Sequence, residues 1–566
     1  MSRKAALLQV LSLLVCLCGC TGQDRHVSVR DATLSLSISG DPKSFNPIVA
    51  KETSTTAITG YIFEGLVQTD GESLEVKPCL ATRWESDESG KVWRFFLRKN
   101  VKWHDGEEFT SDDVVFTYNR LIYNERIATS SRDVLSIDGK PLQVSRLDDY
   151  TVEFRLPERF APFLRLMGHE ILPEHRLSGT VDKGTFGSSW GVNESPGNIV
   201  GTGPFVLREY RPAEWVILDR NNSYWKVDQK TGERLPRLKR IVFSIIADTN
   251  MALLKFRAGE IDVFSVRGQD YPLLKPYEEK QGFTIYQLGP SLGSEFISFN
   301  QSLGAGIKGY KREWFRNKNF RKAVAHAIDK EAIVRNVYGG FASRQDGPMN
   351  VSCGFFNNPD VEKYDYDLER AKKLLQSEGF RLRDSFLYDA MGNPVEFSII
   401  TNSNNFERIQ IGNIIQDDLK KTGMKVNLLP VEFNTLVTRL TSTMDWECVI
   451  IGLTGGIEPH NGKNVWHSRG QLHVWNNSPE SREAWEKKVD RIFEEGAKTT
   501  VEKRRKKLYD EWQEIASDQL PLIYTVSPFS MVAVNDRVVN IRPSVYGGAL
   551  HNIEELSVGP ASPGGH

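Results

Sequence analysis

The sequence predicts an α/β fold, and two recurring patterns carry that prediction. The first pattern is the alternation of apolar and polar residues that is typical of strands, as in residues 33–39. The second is a helix pattern followed closely by a strand pattern. Residues 411–419 place apolar side chains at helical spacing, Gly423 ends that pattern, and residues 424–429 form a strand pattern. A chain in which helices and strands follow one another in this way is typical of an α/β protein.

Further elements can be assigned in chain order from the same two patterns. Helical spacing is clearest where Asp367 supplies an N-cap before a run of apolar residues. The predicted helices are 319–334, 365–380, 411–419 and 481–516, and the predicted strands include 93–97, 101–103, 150–156, 283–288, 296–300 and 446–453.

One stretch combines several local signals within forty residues. Residues 93–97 and 101–103 both alternate, which predicts two strands. Asp105-Gly106 supplies turn chemistry after them. Thr110 and Asp113 then have the spacing of a capping box at a helix start. The stretch therefore predicts a strand, a second strand, a turn and a capped helix.

The same stretch resembles a known family. From Trp84 to Tyr118 it runs W-E-x-x-x-x-G-K-x-W-x-F-x-L-R-x-x-V-K-W-H-D-G-x-x-F-T-x-x-D-V-x-F-T-Y, which is similar to the signature of the bacterial family 5 extracellular solute-binding proteins. Residues 171–175 and the GTGPF segment 201–205 also resemble landmarks of that family. The family serves ABC importers of oligopeptides, dipeptides, nickel chelates and related solutes.

The resemblance implies an architecture and a set of domain boundaries. The expected fold is a two-lobed periplasmic-binding-protein-like fold, the large type II or cluster C architecture, with mixed sheets and two hinge crossovers. The implied units are lobe I at 33–285 with an extra subdomain at about 75–195, lobe II at 286–516, and a return to lobe I at 517–566.

Length, composition and charge set outer bounds. The 566 residues are enough for about three or four domain-sized units, and 40% hydrophobic with 26% charged residues is ordinary for a globular protein. A formal net charge of −1 gives no electrostatic case for binding nucleic acid. We expect a monomer without a cofactor.

The N-terminus has the pattern of an export signal. Arg3 and Lys4 precede a mostly apolar run at 5–17, which is too short for a convincing membrane span. The run ends at Cys20 in a sequence that resembles the bacterial lipobox, which implies a signal peptide at 1–19, acylation with palmitate at Cys20, and a tether at 20–32. The product would be a membrane-anchored lipoprotein facing the periplasm or the cell exterior. The alternative is an ordinary cleaved signal.

Three cysteines follow the signal, namely Cys79, Cys353 and Cys448. An odd number in an exported protein leaves at least one thiol without an internal partner. Cys353 with Cys448 is the one pair worth considering as a disulfide, because both fall in the implied second lobe. No Cys-x-x-Cys motif supports a redox or zinc site.

By resemblance, the loop at 452–460 supplies contacts to the ligand. Peptide-binding relatives place an Asp four residues before its Pro, to pair with the peptide's ammonium group, whereas this chain has Gly455 there. Glu458 keeps an acid before the Pro, and a buried carboxylate needs a partner such as a cationic ligand group. A solvated loop Glu is the alternative. His460 belongs to the same loop.

Other candidate ligand contacts are spread along the chain. Ser54 and Thr55 carry hydroxyls that either face ligand or belong to a capped helix start. Asn300 and Tyr524 lie near the predicted crossings. Trp475 belongs to a cluster with Trp466, His467 and His473 that would form an apolar wall over ligand side chains. The histidine spacing fits no zinc pattern, so no metal is predicted.

These observations leave several function classes open. The first is a receptor that delivers oligopeptides to an ABC permease and ATPase complex, with nickel chelates, opines or sugars as alternative solutes. The second is an extracellular hydrolase, because residues 187–191 and 289–293 match G-x-S-x-G, although neither match sits between a strand and a helix. The third is a periplasmic scaffold or chaperone.

Overall fold

The computed structural model describes residues 32–50, 52–304, 306–478 and 482–559. The predicted signal and Cys20 lie outside the described residues. The strands are β1 (Thr33–Ile38), β2 (Val67–Thr69), β3 (Val76–Pro78), β4 (Ala81–Ser86), β5 (Val92–Leu97), β6 (Gln143–Asp148), β7 (Thr151–Arg155), β8 (Phe205–Arg211), β9 (Trp215–Arg220), β10 (Arg240–Ile245), β11 (Val263–Ser265), β12 (Phe283–Pro290), β13 (Ser294–Phe299), β14 (Ala342–Arg344), β15 (Arg381–Arg383), β16 (Phe386–Tyr388), β17 (Glu396–Asn402), β18 (Lys425–Val431), β19 (Cys448–Leu453), β20 (Leu522–Asn535), β21 (Val538–Val539) and β22 (Ser557–Val558).

The helices alternate with these strands, as the sequence predicts for an α/β protein. They are α1 (Thr53–Thr59), α2 (Ser111–Val115), α3 (Ser131–Leu135), α4 (Phe163–Leu166), α5 (Glu174–Asp182), α6 (Thr249–Arg257), α7 (Tyr271–Leu274), α8 (Glu278–Gln281), α9 (Gly309–Arg316), α10 (Lys318–Ala327), α11 (Lys330–Asn336), α12 (Leu368–Ser377), α13 (Phe406–Lys420), α14 (Phe433–Thr438), α15 (Lys463–Trp466), α16 (Ala484–Lys498) and α17 (Glu502–Gln519). A π-helical segment, Phe116–Ile122, continues α2.

The first lobe contains two four-stranded sheets. One has the order β1-β10-β9-β8, in which β1 is parallel to β10 and the other pairs are antiparallel. The other has the order β4-β5-β7-β6 and is antiparallel throughout. Both sheets share one large apolar core, which also receives residues from the C-terminal end of the chain.

The signature stretch lies in this lobe, and some of the elements predicted for it are confirmed while one is wrong. The first predicted strand is β5 and the capped helix is α2, where the Thr110 amide donates to Asp113 Oδ2 at 3.0 Å. The second strand at 101–103 was a wrong prediction. The chain turns at Asn100, which has a positive φ of 65°, and the segment pairs only through a single bridge from Lys102 to Glu108.

A mixed sheet with the order β11-β20-β13-β19-β17-β18 organises the second lobe and extends into the first lobe at β11. Strands β17 and β18 are parallel and joined by α13, which is the helix-then-strand unit that the sequence predicts. Two predicted helices are each divided in two. The segment 319–334 breaks at Asp329, whose side chain caps α11, and the segment 481–516 breaks between α16 and α17.

The proposed pairing of Cys353 with Cys448 is wrong. Cys79, Cys353 and Cys448 are all free, buried thiols. Cys353 packs in an aromatic core with Trp466 and Trp512, whereas Cys448 lies on β19 in the other core of the second lobe. Each sulfur atom therefore fills space in its own apolar core.

Strand β20 connects the two lobes. Its first half pairs with β13 and β14, and its second half pairs with β11 and β12. A second crossing runs beside it between β12 and β13, where the Ser291 amide donates to the Pro528 carbonyl at 2.8 Å. The Ser527 hydroxyl donates to the Ser291 carbonyl at 2.9 Å, and Asn350 donates to the same carbonyl at 2.7 Å. We call these paired crossings the hinge.

Candidate ligand cleft between the lobes

A cavity of about 910 Å³ lies between the two lobes. Most of its wall comes from the first lobe: the exposed side of α1 with the following residues, β2, the segment 165–170, and a C-terminal segment at 546–554. The second lobe contributes Leu292, Gly456, Ile457 and Asn461. This volume is within the range of small-molecule sites, about 300–1,000 Å³.

The first-lobe wall is positioned by the GTGPF segment. The Gly203 amide donates to the Ile62 carbonyl at 2.9 Å, and a side chain at Gly201 would overlap that same carbonyl. His104 from the signature stretch holds the segment from the other side, with Nδ1 accepting from the Gly201 amide at 3.1 Å and Nε2 lying 3.1 Å from the Gly203 carbonyl. Burial lowers the pKa of His104 to about 4, so the ring is neutral and structural.

A buried carboxyl network forms part of that wall. The Tyr224 hydroxyl lies 2.8 Å from Glu64 and 2.7 Å from Glu554, but a hydroxyl carries only one hydrogen. One of the two carboxyls must therefore be protonated. Lys226 pairs with Glu554, so Glu64 is the protonated group. Burial raises the pKa of Glu64 to about 7, which agrees with this assignment.

Three carboxyl side chains line the cavity, Glu64, Glu170 and Glu554, and Arg165 is the single cationic side chain in the part of the wall that the structure describes. Glu64 is neutral and Glu554 is paired with Lys226, so Glu170 is the remaining charged carboxylate of this wall. The second lobe adds only apolar and amide groups. A cationic group of a solute would therefore meet Glu170 on the first-lobe wall.

A smaller chamber of about 270 Å³ adjoins the cleft inside the second lobe. Gly456 and Asn461 line both cavities, so the chamber opens toward the cleft at these residues. Its apolar lining consists largely of Phe296, Met349, Val465, Trp466, Trp512 and Tyr524. The chamber has the size and lining to hold one apolar side chain of a solute.

Three of the predicted contacts line this chamber, namely Tyr524, Gly455 and Glu458. Tyr524 packs against Phe296 with ring centroids 5.8 Å apart. Gly455 has a positive φ of 66°, and a Cβ there would overlap the Leu292 carbonyl oxygen of the hinge. A side chain such as that of Asp at this position would therefore require the loop or the hinge to shift.

Glu458 also lines the chamber, but its carboxylate has an internal partner. Arg505 from α17 binds both of its oxygens, with Nη1 at 2.9 Å from Oε2. Oε1 also accepts the His460 amide at 3.0 Å. The charge of Glu458 is thus balanced within the second lobe, and the carboxylate does not need a cationic ligand group as its partner.

His460 and Trp475 were expected to face ligand, and both are fully buried elsewhere. His460 packs under Phe160 of the first lobe, with ring centroids 5.1 Å apart. Trp475 donates from Nε1 to Glu486 at 3.1 Å and stacks near His473 in the core of the second lobe. Of the predicted aromatic wall, Trp466 is the member that lines the chamber.

The remaining candidates have structural roles. Thr55 is buried and bonds to Glu52 at the start of α1, and the Ser54 hydroxyl donates to the Asp41 carbonyl at 3.2 Å. Both residues lie in the first turn of α1, whose N-cap residue is Glu52. Asn300 donates to the carbonyls of Met444 at 3.1 Å and Trp446 at 3.0 Å, which closes the end of β13.

Several lining residues were not predicted. Thr56, one position after the predicted hydroxyls, faces the cavity because it lies on the exposed side of α1. The C-terminal segment 546–554 has no motif that would have assigned it to a site. Its participation depends on the tertiary return of the chain to the first lobe.

The lobes also meet away from the hinge, at contacts that we call the mouth of the cleft. Lys463 of α15 donates to the carbonyls of Ser136 at 3.1 Å and Asp133 at 3.4 Å. Lys498 pairs with Asp138, and the Ala161 amide donates to the Ala497 carbonyl at 2.7 Å. We call this set the clasp; its residues are Asp133, Val134, Ser136, Asp138, Phe160 and Ala161 of the first lobe and His460, Lys463, Ala497 and Lys498 of the second.

A hinge, a closed mouth and a cavity between two lobes define a two-lobed solute-binding protein. Comparison with known families agrees. The model of the middle region of the bacterial extracellular solute-binding proteins, family 5, matches residues 75–470. The chain belongs to that family.

Relatives of known description cover most of the chain. The oligopeptide-binding protein AppA of Bacillus subtilis is 27% identical over 88% of this chain and 87% of its own length. The dipeptide-binding protein of Escherichia coli is 26% identical over 88% of this chain and 89% of its own length.

Solved structures show the same fold. AppA of Bacillus subtilis in complex with a nonapeptide superposes with a TM-score of 0.78 at 25% identity, covering 93% of this chain and 99% of that one. MelB of Agrobacterium fabrum in complex with stachyose superposes with a TM-score of 0.79 at 22% identity, covering 93% and 84%. The two-lobed fold predicted from the signature stretch is thus confirmed.

Neither a membrane-spanning helix nor a metal-binding cluster is found in residues 32–50, 52–304, 306–478 and 482–559. No helix in those ranges has the length and apolar character needed to cross a bilayer. No group of three or more His, Cys, Asp or Glu side chains in the same ranges is arranged to hold a metal ion.

Proposed function

We propose that the protein is the substrate-binding lipoprotein of an ABC importer and that its solutes are oligopeptides. The observation that carries the proposal is the cavity of about 910 Å³ between the lobes, with its side chamber of about 270 Å³. A main cleft with an adjoining apolar chamber suits a peptide, whose backbone lies in the cleft while one side chain enters the chamber. The likeness to AppA supports the same solute class.

The chemistry of the walls refines the solute. The aromatic lining around Trp466 and Trp512 favours an apolar or aromatic side chain. Gly455 and the internally paired Glu458 remove the usual second-lobe anchor for a peptide ammonium. The ammonium group would instead meet Glu170 on the first-lobe wall.

The domain limits remain part of the proposal. Lobe I comprises 33–285 and 517–566, with a subdomain at about 75–195, and lobe II comprises 286–516. The separate apolar cores and the long strand β20 support these limits. Closure of the lobes around the hinge would enclose the solute and form the surface that a permease recognises.

The anchoring and delivery steps rest on the N-terminal sequence and the family. We include in the proposal acylation at Cys20 after removal of residues 1–19, and a monomer that delivers solute to a permease and ATPase complex. Multiple acyl chains on one residue would hold the protein on a membrane. Receptors for nickel chelates, opines or sugars on the same fold are the alternative.

The hydrolase alternative has weaker support. Its two candidate nucleophiles are Ser189, whose hydroxyl bonds to the Thr185 carbonyl at 3.3 Å, and Ser291, which belongs to the hinge. Within the ranges that the structure describes, the hydrogen bonds of the histidine rings go to other groups and not to either hydroxyl. A serine nucleophile requires an adjacent base.

Native mass spectrometry of the full chain, purified without denaturation, tests the proposal. We expect a co-purified mass that is released on unfolding and that fragments as a peptide. Gly456→Leu should abolish it. Gly456 lines both cavities, and a Cβ added there would meet Asn461 at 3.5 Å, which is an ordinary contact, so the leucine side chain would occupy cavity space without a clash.

The matched control is Gly179→Leu, which adds the same side chain at an open position on α5. It should retain the co-purified peptide. Turnover of added peptides would contradict the receptor proposal, and a co-purified sugar or metal chelate would contradict the peptide assignment.

A further inference from the structure

His460 occupies an unusual place in the clasp. It belongs to the second lobe, but its ring is fully buried by contact with Phe160 of the first lobe, at an interplanar angle of 81°. The Val134 carbonyl of the first lobe faces the ring, yet neither ring nitrogen completes a hydrogen bond. A polar ring buried without hydrogen bonds is tolerated only in its neutral form.

The charges that act on the ring are mostly cationic. Lys463 of α15 and Arg505 of α17 face it and His467 lies nearby, whereas Asp133 of the first lobe lies beside Lys463 and has its pKa raised by burial. Glu458, the nearest carboxylate on its own loop, accepts a hydrogen bond from the His460 amide and forms an ion pair with Arg505. In the closed arrangement, the pKa of His460 is held well below its ordinary value. Burial is the larger cause, and Lys463 and Arg505 add to it.

Opening of the lobes changes this environment. Phe160 and Val134 move away with the first lobe, so water reaches the ring. Lys463 loses the two carbonyls that hold it beside the clasp and becomes solvated. Arg505 stays paired with Glu458 because both belong to the second lobe. The imidazole therefore regains a basicity close to that of a free histidine, about 6.5 in pKa.

We infer that His460 is a pH-sensitive element of the clasp, which keeps the lobes closed at neutral pH and favours opening, with release of solute, under acidic conditions. The inference rests on the closure that the proposed function invokes. Its sign follows from proton counting. Above about pH 7 the ring is neutral in both arrangements, whereas below about pH 6.5 the open arrangement binds one proton more. Each further unit of acidification then favours opening by about tenfold.

One backbone hydrogen bond reports closure directly. The Ala161 amide donates to the Ala497 carbonyl across the mouth, so its hydrogen exchange requires separation of the lobes. Exchange would be measured by mass spectrometry on the full chain at about pH 7.5 and about pH 5.5, where the expected change in the population of the open state is about tenfold after correction for intrinsic rates. Both the chain alone and the chain with a random tripeptide mixture would be used.

Three variants separate His460 from other groups that titrate in this range. His460→Leu keeps an apolar side chain beside Phe160 and should reduce the pH effect to less than about twofold, because it removes the proton site. Phe160→Ala keeps His460 but admits water in the closed arrangement, and should also remove most of the effect. His467→Gln, whose ring is held by Asp490 and Glu494 of the same lobe, should retain it.

Two results would overturn the inference. One is an equal pH effect in the wild type and in His460→Leu. The other is an Ala161 amide that is unprotected at neutral pH both alone and with tripeptides, because the clasp would then not form. Failure of tripeptides to change protection in the second sample would count against the proposed function and would leave the pH comparison in the first sample intact.

Discussion

The hinge and the clasp join the same two lobes through different chemistry. At the hinge, β20 runs unbroken between the lobes, and Ser291, Ser527 and Asn350 form buried hydrogen bonds beside it. At the clasp, a single backbone hydrogen bond, two lysines and one histidine make the contact. The hinge contacts survive only if the chain stays folded, whereas the clasp contacts can be exchanged for water. The clasp contacts, together with others such as Lys43 to Asn434, therefore contribute to the free energy of closure.

The largest expected effect concerns the fastening of β20 to the first lobe. Asp262 is fully buried, accepts the Ser35 amide at 2.8 Å and binds Arg537, which follows β20, at 2.5 and 2.6 Å. Asp262→Ala would leave that arginine buried without its carboxylate and should lower the free energy of unfolding by about 3–5 kcal/mol. Urea unfolding measures this change.

The control for that variant lies in the same segment. Glu260→Ala removes a carboxylate that is 54% exposed and pairs with Lys255, so it should change the free energy of unfolding by less than about 1 kcal/mol. Equal unfolding midpoints for the two variants would show that the end of β20 is not fastened by this pair.

An intermediate effect is expected where the ligand loop touches the hinge. Gly455→Ala would place a Cβ against the Leu292 carbonyl at a φ of 66°. The strain should cost about 1–3 kcal/mol in the free energy of unfolding, or shift the loop and weaken tripeptide binding. Urea unfolding and calorimetric titration with tripeptides measure the two outcomes.

Gly456→Ala is the matched control for the loop. Its Cβ would meet only Asn461 at 3.5 Å, which is an ordinary contact. Unfolding should be unchanged within a few tenths of a kcal/mol. If both alanine variants behaved alike, the close approach at Gly455 would not disfavour a side chain at that position.

The smallest effect is expected at the clasp. Lys498 and Asp138 are each 36% exposed, and such pairs contribute about 0–1 kcal/mol. Lys498→Ala should leave urea unfolding unchanged and raise the exchange of the Ala161 amide by a few fold. Lys487→Ala, on the same helix but outside the clasp, should change neither quantity. A large loss of folding stability would contradict the assignment of Lys498 to a separable contact.

Local sequence patterns predicted much of the fold. The alternation at 33–39, the cap at Thr110 and Asp113, and the unit from α13 to β18 all formed as expected. The errors came from local breaks. Asp329 caps a new helix, α11, inside an apolar stripe that predicted one continuous helix. Asn100 turns the chain where alternation predicted a strand. Alternation and helical spacing report burial, but do not report where the backbone turns.

The site was less predictable than the fold. The loop at 452–460 contributes residues to the cavity walls, yet Glu458 and His460 have partners that are distant in sequence, namely Arg505 and Phe160. Glu64 and the segment 546–554 line the cleft without any sequence motif. Which side of a loop faces solute depends on such long-range contacts, so residue type alone could not assign these roles.

Small-angle X-ray scattering of the full chain, with and without a saturating random tripeptide mixture at neutral pH, tests the central claim most directly. If the two lobes close over a peptide in the cavity of about 910 Å³, the radius of gyration should fall when tripeptides are added and the tripeptides should be recovered unchanged. An unchanged radius together with cleavage of the tripeptides would contradict the account.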